Sequence, residues 1–166
     1  MLEIRKLSVN DGREFYNMLQ EIPANENGFI NSVAGKSYEE YKVWLKASEE
    51  NAEKKEIEDG WKVPQTTFWF LEDGKPVGFG KVRHFLTEKL LEEGGNVGYG
   101  IRPDARNKGL GKQFVGLLKE ECKKLGMEKM LLTIRKTNVA SRQVALANGG
   151  RIEKENEERY YIWIDL

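Results

Sequence analysis

A strand, a basic turn with two glycines and a helix follow one another in residues 99–112, YGIRPDARNKGLGK. The glycines, Gly109 and Gly111, let a ligand approach the backbone closely. The free N–H groups and the dipole at the start of a helix favour an anion there. This segment therefore constrains the chain most strongly, and it predicts a site for a phosphate-bearing ligand at a strand-to-helix turn.

Two nucleotide-binding patterns do not fit this turn. A P-loop requires glycine six residues before Lys112 and serine or threonine after it, but Arg106 and Gln113 occupy those positions. A dinucleotide fingerprint can begin at Gly109 and Gly111, but Phe114 stands where its last glycine or alanine belongs. The spacing argues against both classes of nucleotide site.

The rest of the chain predicts an α/β domain built around one sheet. Asp11 is the expected cap of the first helix, and Ser37 and Glu40 have capping-box spacing before a second helix that is highly charged towards residues 49–58. Residues 24–36 are rich in Asn and Gly and predict a loop. Single strands are predicted at 2–7, 96–103 and 129–135. One hairpin is predicted from the strands 66–72 and 76–85, and another over 151–164. The later helices are predicted at 109–125 and 139–148.

Length and charge limit the function. With 166 residues we expect one domain, 1–166, and with 27 basic and 27 acidic side chains we expect neither nucleic acid nor a membrane surface as a partner. The start of the chain lacks the features of a signal peptide, and no apolar run is long enough to span a membrane. These features predict a cytoplasmic protein that handles a small ligand.

Two motifs carry a resemblance to a known family. Arg106-Asn-Lys-Gly109-Leu-Gly111 resembles the R/Q-x-x-G-x-G/A signature of the GNAT superfamily of N-acetyltransferases, and Asn138-Val-Ala-Ser141 resembles its N-x-x-S at the next helix. The resemblance covers about residues 66–166. The sequence is most similar to a branch of uncharacterised bacterial predicted acetyltransferases, through VPQTTFW (63–69), VRHFL (82–86), GGNVGYGIRP (94–103) and residues 138–150. The resemblance implies an α+β type of α/β fold, with a mixed sheet of six to seven strands, about four helices and a splay between strands 4 and 5.

The resemblance implies acetyl-CoA as co-substrate and no metal. Its pyrophosphate is expected on the turn and its pantetheine arm along the fourth strand, with Asn138 near the pantetheine and Ser141 near the phosphates. The alternative for Asn138 and Ser141 is that they only cap the helix. The implied cofactor-binding residues are Gly100, Ile101, Arg102, Arg106, Asn107, Lys108, Gly109, Leu110, Gly111, Lys112, Asn138 and Ser141.

The catalytic residues are less well defined by the sequence. Many relatives have a tyrosine four residues after the Ser141 equivalent, thought to protonate the leaving thiolate, but Ala145 stands there. His84, the one histidine, is a candidate base or substrate contact because its ordinary pKa lies near neutral pH, and a structural role is equally compatible. Tyr99 is a candidate proton donor, with strand packing as the alternative. Cys122 lies on an apolar helix face, which favours a buried structural thiol.

The resemblance therefore predicts transfer of an acetyl group from acetyl-CoA to a primary amine, of a small molecule or a protein, by direct attack. The alternative is a non-catalytic acyl-CoA-binding module of the same fold. Trp44, Tyr38 and Tyr41 either pack the core or face the acceptor. A homodimer is a further expectation, with the RYYIWI strand at 159–164 as the candidate edge.

Overall fold

Seven strands form two antiparallel sheets in the computed structural model, which describes residues 1–54 and 59–166. The first sheet has the order β1 (Leu2–Lys6), β4 (Gln65–Glu72), β5 (Lys75–Arg83), β6 (Val97–Ile101). The second has the order β7 (Lys129–Arg135), β9 (Arg159–Asp165), β8 (Arg151–Glu155). A short separate ladder joins β2 (Asn25–Glu26) to β3 (Phe29–Ile30), so the predicted loop 24–36 contains a hairpin.

Five α-helices are present among the described residues: α1 (Arg13–Gln20), α2 (Tyr38–Asn51), α3 (Glu88–Glu92), α4 (Leu110–Lys124) and α5 (Val139–Ala147). The capping box predicted for α2 is confirmed, since Ser37 and Glu40 exchange both hydrogen bonds. The second helix is predicted to be highly charged towards residues 49–58, and residues 55–58 of that range lie outside the described residues. No helix in the described part of the chain has the length and apolar character needed to cross a membrane.

Asp11 does not cap α1, contrary to the prediction. The cap position is Gly12, and the Asp11 carboxylate accepts hydrogen bonds from the Trp69 indole N–H at 2.7 Å and the Arg5 guanidinium at 2.8 Å. Because Asp11 is buried, these partners compensate the removal of its charge from water. The residue therefore ties the entry of α1 to the first sheet.

Both faces of the first sheet are covered. Phe68 and Phe70 point towards α4, where the rings of Phe70 and Phe114 stack 4.5 Å apart. Trp69 and Phe79 point the other way, into a second core with α1 and α2 that also contains Tyr41 and the partly buried Tyr38 and Trp44. The core interpretation of these α2 aromatics is therefore the one the structure supports.

Asn96, just before β6, bonds to β7, and the two strands then separate. The backbone N–H of Asn96 donates to Leu131 O at 2.8 Å, and its side-chain Oδ1 accepts from Leu131 N–H at 2.9 Å. Beyond this contact the strands β6 and β7 belong to different ladders. The fold class and the splay between the fourth and fifth predicted strands are confirmed, and Asn96 marks the apex of the splay.

The C-terminal strand β9 is not a sheet edge, because it pairs with β7 on one side and β8 on the other. The prediction that it offers an edge is wrong, and the outer strand next to it is β8, whose five residues are all exposed. The sequence of β8, RIEKE, is highly charged, which discourages edge-to-edge pairing. The homodimer stays a prediction.

Candidate functional site

A cleft of about 660 Å³ opens where β6 and β7 diverge. The starts of α4 and α5 form part of its wall, and the β2–β3 hairpin lies across it. Lys81 donates a hydrogen bond to Ile30 O of this β2–β3 hairpin at 2.8 Å. The Phe29 ring of the hairpin packs closely on β6, since a Cβ added to Gly98 or Gly100 would lie 3.0 Å from it. The glycines of β6 thus make room for the hairpin.

The turn before α4 exposes backbone N–H groups to this cleft. Gly109 is the N-cap in the left-handed region (φ 78°), and no side chain caps the helix. The first helical N–H groups have no partner within a helix, so those of Leu110, Gly111 and Lys112 face outwards. Asn107 also has positive φ, 62°, and the first turn contains no acidic residue. The local geometry is that of an anion site.

Arg106 supports this turn through other protein groups. Its guanidinium makes two hydrogen bonds to Glu26 on the hairpin, at 2.6 and 3.0 Å, and one to Ile101 O at 2.9 Å. Although Arg106 lines the cleft, its donors are directed to these partners. Arg106 therefore joins the hairpin to the end of β6.

Two predicted cofactor residues do not line the cleft. The backbone N–H of Arg102 donates to Val77 O at 2.7 Å within the sheet, and its side chain binds Asp104 and Glu21. Lys108 is exposed and also lies outside the cleft lining. The side chains of Arg102 and Lys108 therefore do not contribute to the cleft lining, and backbone contacts from the turn stay a prediction.

The free edge of β6 presents alternate backbone groups. In an antiparallel ladder, successive residues direct their N–H and C=O groups to opposite sides. Because Arg102 N–H bonds to β5 while Ile101 O accepts from Arg106, Ile101 and Tyr99 face the splay. Gly100 lines the cleft, but by this alternation its backbone groups face β5.

Tyr99, Ser141 and Asn138 meet on one side of the cleft. The Tyr99 hydroxyl donates to Ser141 Oγ at 3.3 Å, and Asn138 Oδ1 caps α5 by accepting from Ser141 N–H at 3.2 Å. Burial raises the pKa of Tyr99 above its ordinary value, which keeps the phenol protonated near neutral pH. Ala145, one helical turn after Ser141, is fully buried in the core.

His84 is not brought into the cleft. Its Nε2 lies 2.7 Å from Thr66 Oγ1, and burial, with Lys6 as a second cause, lowers its pKa. Its neighbour Arg83 lines the cleft instead. Because neighbouring residues of a strand point to opposite faces, one member of the Arg83–His84 pair is expected to face the cleft, and it is Arg83.

The sequence interpretation did not select the cationic side chains Lys81 and Arg83 as site residues. Lys81 bonds to Ile30 O, and Arg83 donates to Gly94 O and Gly95 O at 3.2 Å each. Burial, with the charge of Arg83 as a second cause, lowers the pKa of Lys81 to about 8, and burial also lowers that of Arg83. Phe79, Lys81 and Arg83 alternate along β5 with a period of two, and this pattern could have indicated that they share one face of the strand.

Cys122 is buried, and burial raises the pKa of its thiol to about 12. This agrees with the structural role predicted for it. Among residues 1–54 and 59–166, no group of three or more His, Cys, Asp or Glu side chains could hold a metal ion.

Comparison with known proteins gives one family and many similar structures. Residues 32–149 match the model of the acetyltransferase (GNAT) family. A GNAT-family acetyltransferase from Streptococcus pneumoniae has 18% identity and a TM-score of 0.65, with 100% of this chain and 99% of that chain covered. The Campylobacter jejuni N-acetyltransferase PseH, in complex with acetyl coenzyme A, has 14% identity and a TM-score of 0.63, with 99% of each chain covered.

The PaiA N-acetyltransferase from Thermoplasma acidophilum, in complex with coenzyme A, has 18% identity and a TM-score of 0.60, with 100% of this chain and 99% of that chain covered. At these identities the structures show a common fold. No curated protein matches the sequence.

Proposed function

The chain belongs to the GNAT acetyltransferase family, and we propose that it transfers an acetyl group from acetyl-CoA to a primary amine by direct attack. The observation that carries the proposal is the uncapped start of α4, which opens into the same cleft as the free edge of β6. One end of the cleft thus suits phosphates and the other a hydrogen-bonding chain. Acetyl-CoA, which is bound in the Campylobacter jejuni neighbour, has both parts.

We place the donor from the turn towards the apex. The pyrophosphate lies on the N–H groups of residues 107–112 with Lys112 beside it, and the pantetheine arm follows the edge groups of Ile101 and Tyr99. The acetyl group then lies near the apex of the splay. Because these contacts are mostly to the backbone, substitutions that change the backbone or its charge test them better than removal of single side chains.

The chemistry joins the amine nitrogen to the thioester carbonyl carbon and then breaks the C–S bond. The amine loses its proton to solvent or a base, and the oxyanion accepts a hydrogen bond from an edge N–H of β6. The departing thiolate takes a proton from the Tyr99 hydroxyl, which is regenerated from solvent. Tyr99 supplies this proton from the strand, since α5 has Ala145 at the position of the family tyrosine.

A second candidate function is acyl-CoA binding without turnover. The buried Ala145 favours it, because no acidic side chain projects from that helical position. The two functions differ in a single readout, the release of free thiol from acetyl-CoA in the presence of an amine. Turnover with any amine excludes the binding-only function.

Thermal unfolding with acetyl-CoA, ATP and NAD in parallel tests the donor site. A ligand at about 100 times its dissociation constant stabilises the fold by roughly 2.7 kcal/mol, which raises the Tm of a chain this size by roughly 5–10 °C. We expect that shift with acetyl-CoA alone. A larger shift with ATP or NAD would contradict the donor assignment.

A matched pair of variants at Gly109 links the shift to the turn. Asn and Asp both tolerate the left-handed conformation of this residue, and they differ by one negative charge. We expect Gly109→Asp to abolish the acetyl-CoA shift through repulsion of the phosphates, while Gly109→Asn retains part of it. Equal shifts in the two variants would mean that no phosphate lies at this turn.

A further inference from the structure

The charges that line the cleft are unevenly paired. Its cationic side chains are Lys81, Arg83, Arg106, Lys112, Arg135 and Arg159, and its carboxylates are Glu26 and Glu93. Each carboxylate already has a partner within the protein: Glu26 bonds to Arg106, and Glu93 bonds to Arg159 at 3.1 Å. The remaining cations therefore give the cleft a positive charge that no carboxylate among the described residues compensates.

Lys81 and Arg83 are the two of these cations that lie together. Both are on β5, on the face that carries Phe79, and the hydrogen bonds of both side chains go to main-chain carbonyls. Lys81 Nζ also lies 5.2 Å from the centroid of the Phe29 ring. Carbonyl groups and aromatic rings replace only part of the hydration that a cation loses on burial. The lowered pKa of each side chain agrees with this cost to the charged form, which a bound anion would reduce.

Their position separates them from the phosphates of the donor. Lys81 is opposite Gly98 and Arg83 is bonded to Asn96, whereas the α4 turn follows the other end of β6. Gly98 and Ile101 are three residues apart, or about 10 Å along a strand, and the turn lies farther still. Lys81 and Arg83 are thus at the apex, where the acetyl group ends, on the face of the sheet opposite to the Tyr99 side chain.

We propose that the acceptor is an amine that also carries a negatively charged group, a carboxylate or a phosphate, bound by Lys81 and Arg83. This inference rests on the proposed acetyl transfer. Acceptor and donor would enter from opposite faces of β6, so that the amine meets the acetyl group at the apex. Amines without an anionic group would leave both cations uncompensated and react poorly.

The test uses amine pairs that differ in charge and little else. Thiol release at saturating acetyl-CoA is measured for the common amino acids against their carboxamides, and for phosphoethanolamine against ethanolamine. We expect kcat/KM to favour the anionic member by about 10-fold or more, which corresponds to about 1.4 kcal/mol of transition-state binding. A preference confined to the amino acids identifies a carboxylate, and one confined to phosphoethanolamine identifies a phosphate.

Variants assign the preference to the two cations. Lys81→Met and Arg83→Gln should each lower the ratio of kcat/KM between the anionic amine and its neutral partner, while Lys81→Arg should retain that ratio. Lys75→Met is the matched control, because Lys75 is an exposed cation at the far end of the same strand. Equal preference in wild type, Lys81→Met and Lys75→Met would overturn the inference.

Binding distinguishes failure of this inference from failure of the proposed function. If acetyl-CoA stabilises the protein but anionic amines are favoured neither in thiol release nor in thermal stabilisation of the CoA-loaded protein, the acceptor inference is wrong and the donor site stands. If acetyl-CoA itself gives no stabilisation, the proposed function fails first. Faster turnover of neutral or cationic amines than of anionic ones also overturns the inference.

Discussion

The ion pair between Arg106 and Glu26 is expected to contribute measurably to the stability of the β2–β3 hairpin over the cleft. The two side chains are 33% and 38% exposed, so solvent screens the pair, but its two-point geometry places it at the upper end for such pairs, about 1 kcal/mol. Arg106 also donates to Ile101 O, and loss of that charged hydrogen bond adds about 1 kcal/mol more. Arg106→Ala should therefore cost about 2 kcal/mol of unfolding free energy, and Glu26→Gln about 1 kcal/mol.

A double-mutant cycle measured by urea unfolding tests this account. The double variant should be about as stable as Arg106→Ala alone, which gives a coupling free energy of about 1 kcal/mol. The affinity for acetyl-CoA, measured on the same four proteins, should fall only moderately in Arg106→Ala, because the proposed phosphate contacts are made by the backbone. A coupling free energy near zero, together with loss of acetyl-CoA binding in Arg106→Ala, would show that the guanidinium serves the phosphate and refute the structural role.

Three further predictions concern single groups. Tyr99→Phe should lower kcat by roughly 10²-fold or more with little change in acetyl-CoA affinity, if the phenol is the proton donor; an unchanged kcat would exclude that role. The ratio of kcat/KM between wild type and Lys81→Arg for one anionic amine should fall as pH rises through about 8, because Lys81 loses its charge there and arginine does not. The other charged groups in that part of the cleft are Arg83 and the Glu93–Arg159 pair. A ratio that does not change with pH would contradict the assignment of the titration to Lys81. Cys122 should resist thiol reagents until the protein unfolds, since burial raises its pKa to about 12; rapid labelling of the native protein would refute that.

The elements that the sequence predicted well are those with strong local signals. The capping box at Ser37 and Glu40, the two hairpins and the turn at Gly109 depend on residues a few positions apart, and each is present in the structure. Asp11 failed as a cap because a distant residue, Trp69, competes for its carboxylate. Local patterns predict local bonds, and tertiary partners can replace them.

The site was predicted in part for the same reason. The turn and Tyr99 lie within one motif, whereas Arg106 and Glu26 are 80 residues apart and no spacing rule relates them. The choice between Arg83 and His84 depended on the phase of β5, which is fixed by Phe79 packing against α1 and α2. That contact exists only once the helices are in place.

In the proposed mechanism, Tyr99 on β6 takes the role that relatives give to a tyrosine on α5. Ala145, at that position of α5, is fully buried in the core. Since alanine carries no phenol, a proton donor near the thioester would have to come from another element. The ring of Tyr99 approaches from β6, and its hydroxyl contacts Ser141, one turn earlier on the same helix. In the proposed mechanism the strand thus supplies the acidic group, and the helix orients it through Ser141.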